Sequence, residues 1–342
     1  MNVRLLDKGN TEEVKKWDDF TENHNQLYHH TKWAEIISSS YGFKPYYLYI
    51  EDDREIKSVF PLLHVKIPLL KDEIVSIPHL ESGGMINTEF YNLYFDFISQ
   101  YIRVKKIRIC QFKDNIGDFS ANTNDVIMIK DLPQEKERII SGIKAATTRN
   151  YMRRILEKDF EVTTGNSIDD LTSLYKLYLQ RMREFGTPPH GFSFLKKIVE
   201  GFKEKAIILL VKTPERVAGA ALYILFNEYL YNLLLVVPRR YLKEKIVYLL
   251  QYKAMELGIE NKLKHLVLGR STKDSGTYFY KSELGGKPIQ IYLYNFTLTP
   301  DGYKAEQEKT VKEKYEAGAH IWSRLPSFFT DCVGPKLRKW IY

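Results

Sequence analysis

The stretch GRSTKDSGTYFYKSELGG, residues 269–286, gathers four glycines, one arginine, two lysines and three aromatics directly after the apolar run HLVL. Glycines that let backbone amides approach a ligand, set beside cationic side chains, suit the binding of phosphate or another anion. A Walker-type loop needs Gly-x-x-x-x-Gly-Lys-Ser/Thr, so that amides wrap the phosphates and the lysine reaches in. Here four residues separate Gly276 from Lys281-Ser282, but the second glycine is missing. A P-loop is therefore rejected. No G-x-G-x-x-G follows a strand-like run, so a dinucleotide fold has no support either. What remains is a strand end at Gly269, Arg270 beyond it, a turn at Gly276 and a short helix-like Thr-Tyr-Phe-Tyr-Lys. Two readings stand side by side. One is a lip of an anion-binding cleft at a strand end and helix start. The other is a corner whose glycines only turn the chain and whose Lys281 faces water.

A second basic group lies in ATTRNYMRRILEKDF. On a helical wheel Tyr151, Met152, Ile155 and Leu156 share one side, while Arg149, Arg153, Arg154 and Lys158 share the other. That face is either solvated or a ridge for an anionic ligand. His29-His30 stands near Trp33, but no third ligand at a suitable spacing suggests a metal; a packed or substrate-contacting pair is expected. No Ser/His/Asp set or nucleophile elbow stands out. The two cysteines, Cys110 and Cys332, form no framework or C-x-x-C pair, which fits a reducing cytoplasm.

The elements that must position these groups come in a repeated order. After SIDDLTSLYKLYLQRMREFG and SFLKKIVEGF, both of helical period, come three strand-like runs, AIILLVK, VAGAALYIL and YLYNLLLVV. A long helix, YLKEKIVYLLQYKAMELG, then leads to the strand KHLVL, the glycine-rich stretch and a last strand, PIQIYLYNF. The first half reads similarly: helices near 12–22 and 31–40, PYYLYIE, EIKSVFPLLHV, a strand near 73–77, a helix near 89–101 and KKIRICQF. This is a duplicated α/β unit, and 342 residues suit two such domains. The N-terminus has no signal-peptide h-region, and the longest apolar runs are too short to cross a bilayer. A net charge of +8 points to an anionic partner: nucleic acid, a phosphorylated small molecule or a lipid surface.

Five segments together resemble the FemAB-related proteins of the GNAT superfamily. YHHTKWAEIISSSYGFKP is similar to their entry helix, SIPHLESGGMI to a first-domain strand with a Gly-Gly turn, and RNYMRRILEKDFEV to their basic helix. YLQRMREFGTPPHGFSFLKKIVEGF resembles their arginine-bearing helix and Gly-Thr-Pro turn, and GRSTKDSGTYFYKSELGGKPIQIYLYNF their closing signature. The tail IWSRLPSFFTDCVGPKLRKWIY is similar to the subset associated with envelope export and sorting systems.

The resemblance implies transfer of an acyl or aminoacyl group onto an amine. It implies catalytic roles for Lys281, Tyr280 and Arg270, with the ammonium of Lys281 and the guanidinium of Arg270 facing negative charge. It further implies substrate contacts from His30, Trp33, Gly83, Gly84, Arg149, Asn150, Arg153, Tyr178, Arg181, Arg183, Ser271, Gly276 and Thr277. Two family features are absent: VPRRYLKEKIVYLL holds no glycine for a pyrophosphate loop, and no helical hairpin for tRNA is inserted. The donor thus stays open between acyl-CoA and aminoacyl-tRNA, with no resident cofactor or metal.

The expected architecture is α/β: tandem duplicated GNAT-like domains with mixed, largely antiparallel sheets flanked by helices. The expected boundaries are 1–145 and 146–300. The tail, 301–342, is expected to pack back on the first domain or touch a membrane. The expected function is an N-acyl or aminoacyl transferase acting on a cell-envelope precursor or amino sugar that bears phosphate or is lipid-linked, in the cytoplasm or peripherally on the inner membrane face. The alternatives are an acetyl-CoA-dependent N-acetyltransferase and a non-catalytic protein binding a polyanion such as tRNA or an anionic glycan.

Overall fold

The computed structural model describes residues 2–67, 71–300, 302–306 and 312–341. In chain order the elements are β1 (Asn2–Leu5), α1 (Thr11–Asn23), α2 (Thr31–Tyr41), β2 (Lys44–Asp52), β3 (Glu55–Ile67), β4 (Lys71–Val75), α3 (Tyr91–Phe97), β5 (Lys106–Phe112) and β6 (Asp125–Asp131). There follow α4 (Ala146–Leu156), β7 (Glu161–Gly165), α5 (Ile168–Glu184), α6 (Phe192–Phe202), β8 (Ala206–Lys212), β9 (Val217–Phe226), β10 (Tyr229–Val236), α7 (Ile246–Glu260) and β11 (His265–Thr272). The chain ends with α8 (Gly276–Glu283), β12 (Lys287–Thr299), β13 (Gly302–Ala305), α9 (Lys312–Arg324) and α10 (Ser327–Arg338).

The chain divides into two compact units, Met1–Ile127 with Ile289–Lys309, and Met128–Pro288 with Thr310–Tyr342. Each repeats one pattern. In the first, β2, β3 and β4 form an antiparallel meander, α3 crosses over, and β5 returns parallel to β4. In the second, β8, β9 and β10 form the meander, α7 crosses over, and β11 returns parallel to β10. All other strand pairs with a defined register are antiparallel. The duplicated, largely antiparallel GNAT-like architecture is therefore present.

The division differs from the expected cuts after 145 and 300. The first unit ends at Ile127, and β12 then returns to it: Ile291 to Thr297 pair antiparallel with Phe112 to Lys106 of β5. That pairing joins segments far apart in the chain, so no local signal announces it. The tail divides. Gly302–Ala305 pairs with β12 in the first unit, as expected. The later part packs on the second unit, where the Arg338 Nε donates to His190 Nε2 at 3.2 Å and Gly334 lies against Pro189.

Local chemistry explains the element ends. The Ser167 hydroxyl and the Asp170 carboxylate form a reciprocal capping box at the start of α5. Gly186 lets the chain leave α5 with a φ of +69°. The core of the first unit is aromatic and aliphatic, with Leu48, Phe60, Ile74, Tyr94, Ile107 and Phe296 in one cluster. On α1, Trp17 is fully buried and its Nε1 donates to the His29 carbonyl at 2.8 Å.

His29 itself gives a pH test of this unit. Its Nε2 donates to the Gly84 carbonyl at 2.8 Å, and full burial pushes its pKa down to about 4. A base held neutral contributes stability above its unfolded value, near 6.5, that is lost as pH falls through the folded value. His29→Gln keeps a donor but cannot titrate. We expect the wild type to lose about 3 kcal/mol relative to that variant between about pH 6.5 and 4, read from urea midpoints. Asp18, raised by burial to about 6, works in the opposite direction but is common to both chains and cancels in the difference. Parallel pH curves for the two chains would remove His29 as the cause.

Candidate active site

Parallel strands joined by a crossover must either stay paired or part at their C-terminal ends, and the two units differ here. In the first, β4 and β5 pair from Glu73 and Lys106 to Val75 and Arg108. Beyond that point the segment 76–86 takes over the partnership. Ser76 N donates to Arg108 O at 2.9 Å, and its hydroxyl accepts from Cys110 N at 2.9 Å. Gly83 and Gly84 amides both donate to Cys110 O, and the Gln111 side chain holds the Met85 backbone through two bonds of 2.7 and 2.8 Å. The protein's own chain fills the gap.

In the second unit, β10 and β11 pair only from Tyr229 and His265 to Tyr231 and Val267. Both strands continue, to Val236 and Thr272, with no further mutual pairs among the described residues. A bulge in β10 between Asn232 and Leu234 accompanies the parting. The opening lies between strand ends, where main-chain groups are available to a ligand.

Three elements aim buried polar atoms near this opening. Gly219 of β9 lies under Ile246 and Leu250, so α7 covers that face of the sheet. Tyr223, two pairs further along β9, faces the same way by strand alternation and pairs with Asn232, the first β10 residue past the last β11 pair. From α8 comes Tyr280, whose ring meets that of Tyr248 edge-on at 5.6 Å. Burial pushes the Tyr280 pKa well above its usual value; the neighbouring phenols of Tyr248 and Tyr223 add to this. Gln251 of α7 is close enough to offset a little of that rise. Yet among the described residues the Tyr280 and Tyr223 hydroxyls and the Gln251 Oε1 are all enclosed without a hydrogen-bond partner of proper geometry. Buried polar atoms left unpaired cost about 1–3 kcal/mol each, so such a cluster asks for a function.

The surroundings fix this cluster in place. The Ser275 hydroxyl caps α8 by accepting from Tyr278 N at 3.2 Å. Lys144 and Ala145 amides donate to Glu283 O, and Thr148 donates to the Glu283 carboxylate at 2.9 Å, which ties α4 to the end of α8.

Lys281 has a task different from the expected one. Its ammonium donates to Gly269 O at 2.9 Å and to Arg270 O at 2.8 Å, holding the end of β11 where that strand has left β10. It acts on the strand rather than facing water. Arg270 and Thr277 are exposed, and Ser271 is buried with a hydroxyl that has no partner among the described residues. Gly276 begins α8 with open space around it.

The other candidates are held by structure. Arg149 donates to Ile143 O and Lys144 O at 2.7 and 3.0 Å, pinning the loop before α4. Arg153 reaches Asn150 at 3.2 Å on the exposed side of that helix. Tyr178 is core, its hydroxyl accepting from His190 N at 3.0 Å. Arg181 pairs with Glu184 at 2.8 Å and lies over the Phe185 ring at 3.9 Å, while Arg183 is half-buried nearby on the same helix. In the first unit, His30 caps α2 beside Asp18 and Trp33 is fully buried. Gly83 and Gly84 are there because a Cβ would meet Ile77 at 2.9 Å and Gln111 Oε1 at 1.9 Å. A substrate role for these residues has no geometric support.

Residue-type reasoning missed Tyr223, Asn232, Tyr248 and Gln251. The signal was present: polar groups at inward positions of otherwise apolar runs, VAGAALYIL, YLYNLLLVV and IVYLLQYKAM.

Comparison with known proteins bears on this unit. Residues 144–282 match the family model of the acetyltransferase (GNAT) domain. The search of curated proteins found no match. Among solved structures, FemX is similar over 85% of this chain and 97% of its own, with a TM-score of 0.64 and 15% identity. A tandem GNAT protein from the clavulanic acid biosynthesis pathway covers 90% of this chain and 99% of its own, with a TM-score of 0.54 and 9% identity. L-PGS from Bacillus licheniformis covers 86% and 98%, with a TM-score of 0.54 and 12% identity. At these identities the likeness is one of fold. The tandem GNAT fold extends over most of the chain, and the residues that match the family model lie in the second unit.

Proposed function

We propose that the chain transfers an acyl or aminoacyl group from an activated donor to an amine of a cell-envelope precursor or amino sugar, using the second unit. The observation that carries this reading is the parting of β10 and β11 beside the enclosed, unpartnered hydroxyl of Tyr280. In such a transfer the amine nitrogen attacks the donor carbonyl, a tetrahedral oxyanion forms, and the leaving group departs with a proton. Main-chain N–H groups freed where the strands part suit the oxyanion, because preorganised donors in a dry cleft need no rearrangement. A phenol whose pKa is raised stays protonated near neutral pH and suits protonation of the leaving group. Lys281 keeps the β11 edge in position.

The turn before α7 bears on the donor. There, where acyl-CoA pyrophosphate would be expected, the Arg239 amide is already bonded to the Glu184 carboxylate at 3.1 and 3.3 Å. An internal carboxylate at that amide disfavours a second anion there, and this supports an aminoacyl donor over CoA. FemX and the L-PGS protein share the fold, which is compatible with that preference.

The test is the thermal-unfolding midpoint with acetyl-CoA, aminoacyl-tRNA and a nucleotide-linked amino sugar. A ligand at about 100 times its Kd adds about 2.7 kcal/mol to the folded state. We expect aminoacyl-tRNA to raise the midpoint more than acetyl-CoA does. A larger shift with acetyl-CoA would reverse the donor assignment and favour an N-acetyltransferase. Equal shifts with charged and uncharged tRNA, steeply salt-dependent and without transfer, would instead make this a polyanion-binding protein.

A further inference from the structure

A helix on a protein surface normally buries its large apolar residues and exposes its small and polar ones. α10 does the reverse. Its inward face is made of Thr330 and Gly334, both buried, and Gly334 approaches Pro189 so closely that a Cβ would lie 2.4 Å from the proline ring. Its outward residues include Phe328, 73% exposed, and Phe329, 41% exposed. Ile321 on the preceding helix α9 is 64% exposed. Trp322, which composition would place with them, is instead buried. The Arg338 to His190 bond and the Pro189 contact hold α10 in this orientation, so packing rather than fraying presents the aromatic face.

Charge identifies what covers that face. From Arg324 to Lys339 the sequence has four basic residues, Arg324, Lys336, Arg338 and Lys339, against one acid, Asp331. A second copy of the chain would set two like-charged patches against each other, which costs energy. An anionic lipid surface offers both things the patch needs: a hydrocarbon boundary for the phenylalanines and negative headgroups for the rim. Among the described residues no helix is long and apolar enough to cross a membrane, so the contact is a lying-on one. The geometry points to α10, with Ile321 of α9, as a docking face for an anionic membrane surface. This goes beyond the transfer reading and does not depend on it.

The test uses the full chain and vesicles of phosphatidylcholine alone or mixed equally with phosphatidylglycerol. Co-sedimentation is expected with the mixed vesicles, weakly or not at all with the neutral ones, and less at high salt. The double variant Phe328→Ser/Phe329→Ser is expected to bind about tenfold or more weaker, since the two rings withdrawn from water together contribute at least that factor. Lys336→Glu is expected to lose the preference for phosphatidylglycerol. All three side chains are exposed, so an unchanged melting temperature verifies that the fold is intact. Equal binding by wild type and the double variant would overturn the proposal. So would no binding at all. A wild-type dimer that the double variant converts to monomer would show that a second copy covers the face, and would also overturn it.

Discussion

Tyr280→Phe is expected to lower kcat by about 100-fold or more with KM nearly unchanged, and at the same time to make the protein slightly more stable. Both effects come from one atom. Among the described residues the enclosed Tyr280 hydroxyl has no hydrogen-bond partner of proper geometry, and nearby Gln251 offsets only a little, so folding leaves most of its desolvation uncompensated. Removing it should return about 1 kcal/mol of stability. If the same hydroxyl protonates the leaving group, its loss removes an interaction made only in the transition state, worth about 10²–10⁴ in rate for general acid catalysis. Because burial and the neighbouring phenols hold the pKa well above its ordinary value, the group stays protonated across neutral pH. The loss should therefore be the same at about pH 6.5 and about pH 9. The measurement is turnover with whichever donor raises the melting temperature, alongside that temperature for both chains. A fall of less than about threefold would remove Tyr280 as the proton donor. A fall accompanied by lower stability would point to a packing role instead.

Much of this arrangement can be read from residues alone, and the parts that cannot share a cause. The repeat of meander, helix and parallel strand follows from periodicity, because VAGAALYIL and YLYNLLLVV are inward on both faces and the long helix between strands enforces a crossover. The short helix through Tyr280 is legible from Ser275 as cap and the aromatic run behind it. What escapes is everything decided by backbone partners. Lys281 looks like a free cation in the sequence, but its partners are carbonyls of Gly269 and Arg270, and carbonyls carry no residue signature. Arg181 looks like a cleft wall. The Glu184 one turn on was the visible warning, while the Arg239 amide that completes the clasp is remote in sequence. The return of β12 to the first unit is of the same kind, since any strand of suitable pattern satisfies β5 locally. The missed cluster of Tyr223 and Gln251 is different: those residues violate an apolar pattern, and a violated pattern is where function tends to sit.

The same distinction between ligand glycines and packing glycines gives the second large effect, in Gly84→Ala. Gly84 has no left-handed φ, so alanine brings no intrinsic backbone strain there. The obstacle is steric. A Cβ would sit 1.9 Å from the Gln111 Oε1, 2.6 Å from its Cδ and 2.9 Å from its main chain. The side chain of Gln111 cannot swing aside without breaking both bonds to the Met85 backbone, and relieving the main-chain clash calls for movement of β5 itself. Overpacking of this sort costs about 1–3 kcal/mol, and two buried hydrogen bonds add a comparable amount, so a loss of about 3 kcal/mol in unfolding free energy is expected. Gly276→Ala is the matched control. Nothing lies within 4 Å of its Cβ position at the start of α8, so alanine there should be neutral or stabilising by about 0.5 kcal/mol. If glycines at 83 and 84 served substrate, Gly84→Ala would raise KM well below the melting temperature while leaving the urea midpoint in place. The packing geometry requires the opposite: a lower midpoint, with transfer kinetics at low temperature within about twofold of wild type. Because the filled gap of the first unit depends on this turn, that outcome would also place donor chemistry in the second unit by elimination.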